Sequence, residues 1–139
     1  MTNLEKKIAA FKREAGSKEQ YNVEQQKIYT AFTRKNGRPI RVEVIDCSGI
    51  KMKISLDSTT EVKKILLKHY KGKEGRVTAD EILRMFDVVR YGDKKSKHGN
   101  FEYTLTFDRG KFTYFTIVKL FPNGEDAILK SFYTNRVAK

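Results

Sequence analysis

The sequence contains few of the residues from which metal and nucleotide sites are built. Its one cysteine, Cys47, excludes a disulfide within the chain and a thiolate metal cluster, and fits a reducing compartment. Its two histidines, His69 and His98, are not at ligand-like spacing, and the acidic residues are scattered among lysines. No P-loop, GxGxxG or GxSxG motif occurs. A metal-dependent or nucleotide-hydrolysing enzyme therefore has little support, and we expect no metal and no other cofactor.

Long hydrophobic runs are also absent. No stretch approaches the roughly 18 apolar residues that span a bilayer. The opening segment, MTNLEKKIAAFKREAGSKEQ, lacks the apolar run of a secretory signal. Because neither a span nor a signal is visible, we expect a soluble protein without a membrane partner, located in the cytoplasm.

Positive charge is the first functional clue that the sequence offers. The 139 residues include 29 Lys and Arg against 17 Asp and Glu, which gives a net charge of +12. Such a charge attracts polyanions and speeds their capture. Nucleic acid is the commonest partner of this kind, and a membrane surface or an acidic protein are the others. A basic surface that only maintains solubility is the alternative interpretation.

The first part of the chain predicts two helices followed by two strands. Leu4, Ile8, Phe11 and Ala15 recur at helical spacing. A second helix is predicted over about residues 18–34, and KNGRP predicts a turn after it. The segments IRVEVID and KMKISL alternate apolar and polar residues, as strands do.

The second part predicts two helices and then a sheet. One helix begins near residue 60, with Ser58 or Thr59 as its cap and Glu61, three residues after Ser58, completing a capping box. The next helix, ADEILRMFDVVRYG, begins with Thr78 and Glu81 as another. DKKSKHGN predicts a polar loop. FEYTLTF, FTYFTIVKLF and AILKSFYT predict a meander whose first turn is DRGK. The predicted fold class is α+β, with N-terminal helices followed by an antiparallel sheet that has a C-terminal three-stranded meander.

The residue types in this sequence are sufficient for cleavage of RNA without a metal ion. RNA carries its own nucleophile, the 2′-hydroxyl, so an enzyme needs only an acid or base, cations and a surface for the bases. Two clusters supply such residues. One surrounds His69 and contains Lys68, Tyr70, Lys71, Lys73 and Arg76, and the other is LKSFYTNR on the last strand.

Aromatic residues of the predicted sheet either stack bases or fill the core. We expect four phenylalanines to be core: Phe101, Phe112, Phe115 and Phe132. Both interpretations stay open for Tyr103, Tyr114 and Tyr133. Alternation on the last strand places Lys130, Phe132 and Thr134 on one face, and Ser131 and Tyr133 on the other.

The order of these segments resembles the barnase–EndoU–colicin–RelE-like nuclease superfamily, especially its phage- and polymorphic-toxin-associated branches. The resemblance covers about residues 59–139, through ILLKHY, GRVTADEILRMFDVVRYGD, YTLTF, TYFTIVKLF and ILKSFYTNR. We therefore treat residues 1–139 as a single domain, with an extension of helices and strands over 1–58 and a nuclease-like core over 59–139. The resemblance implies metal-independent cleavage of RNA, often tRNA, or a relative that kept the fold without the activity.

The resemblance also implies roles for individual residues. His69 would be the acid or base with Lys68 beside it, and five residues of the last strand would hold the phosphate: Lys130, Ser131, Tyr133, Thr134 and Arg136. No second histidine lies on the closing strands, a departure for which His98 is the candidate substitute. Nucleic-acid contacts are further expected from Lys71, Lys73, Arg76, Arg90, Lys97, His98, Tyr103 and Tyr114.

The partners expected of such a ribonuclease are RNA and an acidic immunity or antitoxin-type protein. It would act in the cytoplasm of its own cell or be delivered to the cytoplasm of a target cell. A non-enzymatic nucleic-acid- or protein-binding factor of a phage or mobile element explains the charge equally well. A transferase on the same scaffold is a third possibility, but no cofactor motif supports it.

Overall fold

The structure is a computed structural model that describes residues 1–107 and 111–136. Five helices are present in those ranges: α1 (Asn3–Ala15), α2 (Val23–Phe32), α3 (Glu61–Lys68), α4 (Ala79–Leu83) and α5 (Met85–Tyr91). The strands are β1 (Ile40–Ile45), β2 (Lys51–Leu56), β3 (Asp93–Lys97), β4 (Asn100–Phe107), β5 (Phe112–Leu120) and β6 (Asp126–Thr134). The hairpin turn predicted at DRGK falls mostly on residues 108–110, outside the described residues.

One of the two predicted capping boxes is confirmed. The Thr78 side chain accepts the Glu81 N–H, and the Glu81 side chain accepts the Thr78 N–H, at the start of α4. The capping box predicted at Ser58 is wrong. Its buried hydroxyl donates to Ala31 O (2.7 Å) and accepts from Arg34 Nε (3.0 Å), so it ties the end of α2 to the start of α3.

Three predicted segments are divided differently in the structure. The helix predicted over residues 18–34 is a 3-10 turn (Lys18–Gln20) followed by α2, because Asn22 starts a new helix as its N-cap. The helix predicted after Thr78 breaks at Arg84, where α4 ends and α5 begins. The loop predicted at DKKSKHGN contains β3, which turns into β4 through His98 and Gly99.

The strands form one six-stranded sheet in the order β1-β2-β6-β5-β4-β3. The predicted α+β class and the meander of β4, β5 and β6 are confirmed. All neighbouring strands are antiparallel except β2 and β6, which run parallel. This single parallel pairing joins the β1–β2 hairpin to the C-terminal meander.

The two faces of the sheet differ in burial. Ile54, Ala127 and Phe132 are buried on the face that the helices cover, where the Thr116 hydroxyl also donates to the carbonyl of Met85 on α5 (3.2 Å). The opposite face carries half-buried side chains on β5 and β6, which include Phe115, Ile117, Ser131 and Tyr133. We call this second face the open face.

Aromatic side chains from both parts of the chain meet in the core. The Phe11 ring stacks on Phe32 with 5.7 Å between centroids and meets Tyr70 edge-on, also at 5.7 Å. Phe132 is fully buried, as predicted. Three further phenylalanines of the predicted core are only half-buried: Phe101, Phe112 and Phe115.

A buried carboxylate fixes the turn between β1 and β2 to the β3–β4 hairpin. Asp46 accepts bonds from Lys94 Nζ (2.9 Å), the Tyr103 hydroxyl (2.7 Å), and the N–H groups of Ser48 and Ile50 (both 2.9 Å). Burial raises the pKa of Asp46, but the bonds from Lys94 and Tyr103 outweigh it and hold the pKa far below its ordinary value. Tyr103 is itself fully buried, so its predicted contact with nucleic acid is wrong.

Replacing Asp46 with alanine is expected to lower the free energy of unfolding by about 3 kcal/mol, because Lys94 and Tyr103 lose a buried partner. Urea unfolding at neutral pH measures the loss. Glu43→Ala is the control, since its pair with Lys51 (2.7 Å) is exposed and should contribute far less. Equal losses from the two variants would contradict the role of Asp46. Because its pKa is depressed on folding, this stabilisation exists above pH 3.8 and is lost as the pH falls below that value.

Candidate functional site

A cleft opens on the open face where β2 and β6 part. β2 pairs with β6 only over residues 126–128. Beyond this pairing, the end of β6 bonds to Gly75 instead of β2. The Gly75 N–H donates to Arg136 O (2.9 Å), and the Gly75 carbonyl accepts the Thr134 N–H (3.2 Å). The cleft has a volume of about 440 Å³, a size typical of small-ligand sites. Its lining residues are Lys68, His69, Glu74, Gly75, Ile117, Ser131, Tyr133, Thr134, Asn135 and Arg136.

The imidazole of His69 is held in one tautomer. His69 ends α3, and its N–H donates to Ile65 O (2.9 Å). Its Nδ1 lies 3.0 Å from the carbonyl oxygen of Glu74. A carbonyl oxygen can only accept, so Nδ1 carries the proton and Nε2 of the neutral ring carries the lone pair.

The free nitrogen of His69 reaches solvent. Nε2 makes no hydrogen bond to any residue in the two described ranges. In the same ranges, no buried side-chain nitrogen or oxygen lacks a partner, so Nε2 is not sealed in the interior. The residue as a whole is only 8% exposed. The ring is thus mostly buried, with its basic edge accessible from the cleft.

The pKa of His69 lies below its ordinary value of 6.5. Burial is the main cause, because it disfavours the charged ring. The bond to the Glu74 carbonyl raises the pKa, and the positive charge of Lys68 lowers it further. The imidazole is therefore mostly neutral at pH 7 and can accept a proton.

The titration of His69 tests this assignment directly. We expect its imidazole to titrate below pH 6.5 in an NMR experiment on the folded protein. Between the pKa of His69 in the folded protein and its ordinary value of 6.5, the unfolded chain binds more protons than the folded protein. The free energy of unfolding therefore decreases as the pH falls below 6.5. A midpoint above 6.5 would contradict the neutral imidazole.

Three aromatic rings form a row along the open face. His69 lies against Tyr133 with 5.4 Å between centroids and 27° between planes. Tyr133 in turn stacks on Phe115, its direct neighbour on β5, at 5.0 Å and 12°. Burial raises the pKa of the Tyr133 hydroxyl, which therefore stays protonated and able to donate at neutral pH. Tyr133 therefore packs between His69 and Phe115.

Lys130 does not line the cleft. Ile117 pairs with Ser131 but Val118 pairs with Leu129, so Lys130 is the extra residue on β6. Strict alternation places Lys130 on the face of Phe132, which the helices cover and which is opposite to the cleft, and the bulge interrupts that alternation at Lys130. The Lys130 Nζ lies 3.5 Å from Glu61 Oε1. Glu61 is at the start of α3 and His69 follows its end, so at the rise of an α-helix the two residues are about 12 Å apart along the axis.

Thr134 and Arg136 use their polar groups in the fold and not in the cleft. The buried Thr134 hydroxyl donates to Arg76 O (2.8 Å). Arg136 forms a two-bond ion pair with Glu81 (both 2.8 Å), and its guanidinium lies 3.9 Å from the centroid of Phe112. The predicted phosphate contacts of the Thr134 hydroxyl and the Arg136 guanidinium are therefore not available in this structure.

The more distant predicted contacts also have other partners. The Tyr114 hydroxyl donates to Glu81, and Arg90 pairs with Glu24. His98 is exposed on a two-residue turn with φ of 50°, followed by Gly99 at 79°, and it does not line the cleft. Lys97 Nζ lies 3.3 Å from a carboxylate oxygen of Glu102. Of the predicted residues, six line the cleft: Lys68, His69, Ser131, Tyr133, Thr134 and Arg136. The polar groups of Thr134 and Arg136 are already engaged in the fold, and Lys71, Lys73 and Arg76 are exposed on the adjoining loop.

Glu74 and Gly75 are the site residues that the sequence does not reveal. Glu74 contributes its backbone carbonyl, which leaves no trace in a motif. Gly75 has φ of +64°, and a Cβ there would lie 2.7 Å from His69 Nδ1 and 3.0 Å from Tyr133 Cβ. A glycine shortly after the end of a helix signals a turn, but its contact with a strand nearly sixty residues later is a property of the fold.

The fold and the cleft together define an α+β protein with a neutral histidine beside an aromatic sheet face. Comparison with protein-family models found no match, and searches of curated proteins and of solved structures found no match either. Within the described part of the chain, no group of three or more His, Cys, Asp and Glu side chains is placed to hold a metal ion. No helix in that part has the length and apolar composition needed to cross a membrane.

Proposed function

We propose that this protein is a metal-independent, toxin-like endoribonuclease in which Nε2 of His69 is the general base. The bond between Nδ1 and the Glu74 carbonyl carries the proposal, because it leaves the lone pair on the accessible nitrogen. A general base works best when it is neutral at the working pH, as the depressed pKa of His69 allows.

The proposed reaction uses the substrate's own hydroxyl. Nε2 takes the proton of a 2′-hydroxyl while that oxygen attacks the adjacent phosphorus. The P–O5′ bond breaks, the 5′-oxygen leaves with a proton from solvent, and the other product ends in a 2′,3′-cyclic phosphate. Lys68 at the cleft rim and the Tyr133 hydroxyl would stabilise the charge on the phosphate oxygens. Phe115, which stacks only on Tyr133 among the described rings, would hold a base by stacking on its other side.

The net charge of +12 supports RNA as the substrate and an acidic protein as the natural inhibitor. A structured RNA such as tRNA fits the resemblance to toxin nucleases. An active ribonuclease degrades the RNA of the cell that makes it, so an immunity or antitoxin-type partner would cover the cleft. The site of action would be the cytoplasm of the producing cell or of a target cell.

Product analysis in the presence of EDTA tests the proposal. Purified protein should cleave an RNA oligonucleotide into a fragment with a 2′,3′-cyclic phosphate and a fragment with a 5′-hydroxyl. The control is the same sequence with 2′-deoxyribose throughout, which should remain intact because it has no nucleophile. Dependence on a divalent ion, cleavage of the deoxy control, or products with a 5′-phosphate would each contradict the proposal.

A non-enzymatic nucleic-acid binder is the second candidate. Two observations favour it. Lys130 and Arg136 are engaged in ion pairs and so do not act on a phosphate, and the His69 ring is mostly buried against Tyr133. This candidate predicts salt-sensitive binding of RNA without any cleavage. The EDTA experiment therefore separates the two functions.

A further inference from the structure

We infer that Lys7, Lys71 and Arg76 form a binding site for a backbone phosphate of the RNA strand, next to the cleft. The inference rests on the proposed function and extends it, because it assigns α1 a part in holding the substrate. Lys7 belongs to the segment that precedes the nuclease-like residues in the sequence.

Two of the three cations meet around the ring of Tyr70. Lys7 reaches from α1 and donates from Nζ to the carbonyl oxygen of Tyr70. Nζ of Lys7 and Nζ of Lys71 each lie 5.8 Å from the centroid of the Tyr70 ring. The Tyr70 side chain is fully buried, so it forms a fixed floor under the two ammonium groups.

The cluster has more positive than negative charge. Lys71 lies 3.8 Å from Glu14, and the same Glu14 oxygen already accepts the Tyr70 hydroxyl (2.7 Å). Neither Lys7 nor Arg76 has a carboxylate partner within 4.0 Å among the residues that the structure describes. Burial lowers the pKa of Lys7, and the positive charges of Lys71 and Arg76 lower it further, as expected when an ammonium group lies near other cations. A phosphate group would offset that positive charge.

The loop between Tyr70 and Val77 connects the cluster to the cleft. On its cleft side, Gly75 lies against His69, and the Arg76 carbonyl accepts the Thr134 hydroxyl (2.8 Å). Lys71 is held at φ of +52°, a conformation that costs free energy for a lysine. Its N–H donates to Val77 O (3.1 Å), which closes the loop. A strand with one phosphate at His69 could thus cross this loop and place a neighbouring phosphate at the cluster.

Salt-dependent binding of an uncleavable oligonucleotide tests the site. The probe is a ten-nucleotide single strand with 2′-deoxyribose throughout, measured by fluorescence anisotropy at several salt concentrations. Lys7→Gln should weaken binding several-fold at low salt and reduce the slope of log K against log salt by about 0.7, the value for one phosphate contact on a single strand. Lys6→Gln is the matched control, because Lys6 is exposed on the same helix and should leave the slope unchanged.

Two further variants guard against an indirect effect of Lys7 on folding. Lys71→Gly removes a charge and suits the positive φ, and Arg76→Gln removes an exposed charge. Both should reduce the slope as Lys7→Gln does, whereas a dinucleotide probe that occupies only the cleft should bind equally to all variants. Equal slopes for Lys7→Gln and Lys6→Gln, or equal losses on the dinucleotide, would overturn the site. Because the probe is not cleaved, a protein that shows these slopes without cleaving RNA would contradict the proposed function alone.

Discussion

Replacing His69 with glutamine is expected to slow RNA cleavage by about 10²–10⁴-fold, the usual contribution of a positioned general base. Glutamine can still donate to the Glu74 carbonyl, but it has no nitrogen that accepts a proton near pH 7. The affinity of the variant for the uncleavable 2′-deoxyribose oligonucleotide should change little, because the cationic residues around the cleft remain. Single-turnover cleavage at saturating protein measures the chemical step separately from binding.

The second histidine provides the control for this experiment. His98→Gln alters an exposed turn that does not line the cleft, so it should cleave RNA at the rate of the unmodified protein. Thermal unfolding of both variants checks that neither is simply destabilised. Undiminished cleavage by His69→Gln, or an equal loss in His98→Gln, would exclude His69 as the base.

Replacing Gly75 with alanine is expected to damage the site without removing any polar group. The new Cβ would lie 2.7 Å from His69 Nδ1, in the space between the ring and the loop. The imidazole must then move away from the Glu74 carbonyl, and a displacement of about 1 Å can cost about 100-fold in rate. The positive φ of 64° adds a backbone cost of about 1 kcal/mol to the free energy of unfolding.

Gly99→Ala separates the steric effect from the backbone effect. Gly99 has a similar φ of 79°, but no atom lies within 4 Å of the added Cβ. Both variants should therefore lose stability in urea unfolding, while only Gly75→Ala should lose cleavage and shift the NMR signals of His69. Similar cleavage by the two variants would mean that the contact between Gly75 and His69 does not position the ring.

Local sequence signals account for much of the fold. The Thr78–Glu81 capping box and the alternation of β4, β5 and β6 are visible in the sequence because each depends on neighbours a few residues apart. β3 is not visible, because an edge strand made of Lys, Ser and Asp has no apolar face to alternate. The parallel pairing of β2 with β6 is equally hidden, since it joins residues about seventy positions apart.

Some residues of the candidate site are likewise indicated by local sequence, whereas the places of others depend on the fold. Lys68 and His69 are indicated by their place at the end of α3, and Ser131 and Tyr133 by the alternation of β6 after the bulge. The bulge that makes Lys130 an extra residue has no signal in the sequence, and neither does the ion pair between Lys130 and Glu61. The predicted phosphate contact of Arg136 fails for a different reason. The sequence indicates Glu81 only as a capping residue, but in the fold its carboxylate also binds the Arg136 guanidinium.

The central place of β6 has a consequence for biosynthesis. β6 follows all the other described strands in the chain, yet it lies between β2 and β5, and the two groups of strands have no pairing with each other without it. A nascent chain therefore cannot assemble the sheet, or bring Tyr133 against His69, until residues 126–134 have been translated. For the proposed ribonuclease, this order delays the appearance of activity until almost the whole described chain exists, and so limits damage to the RNA of the translating ribosome.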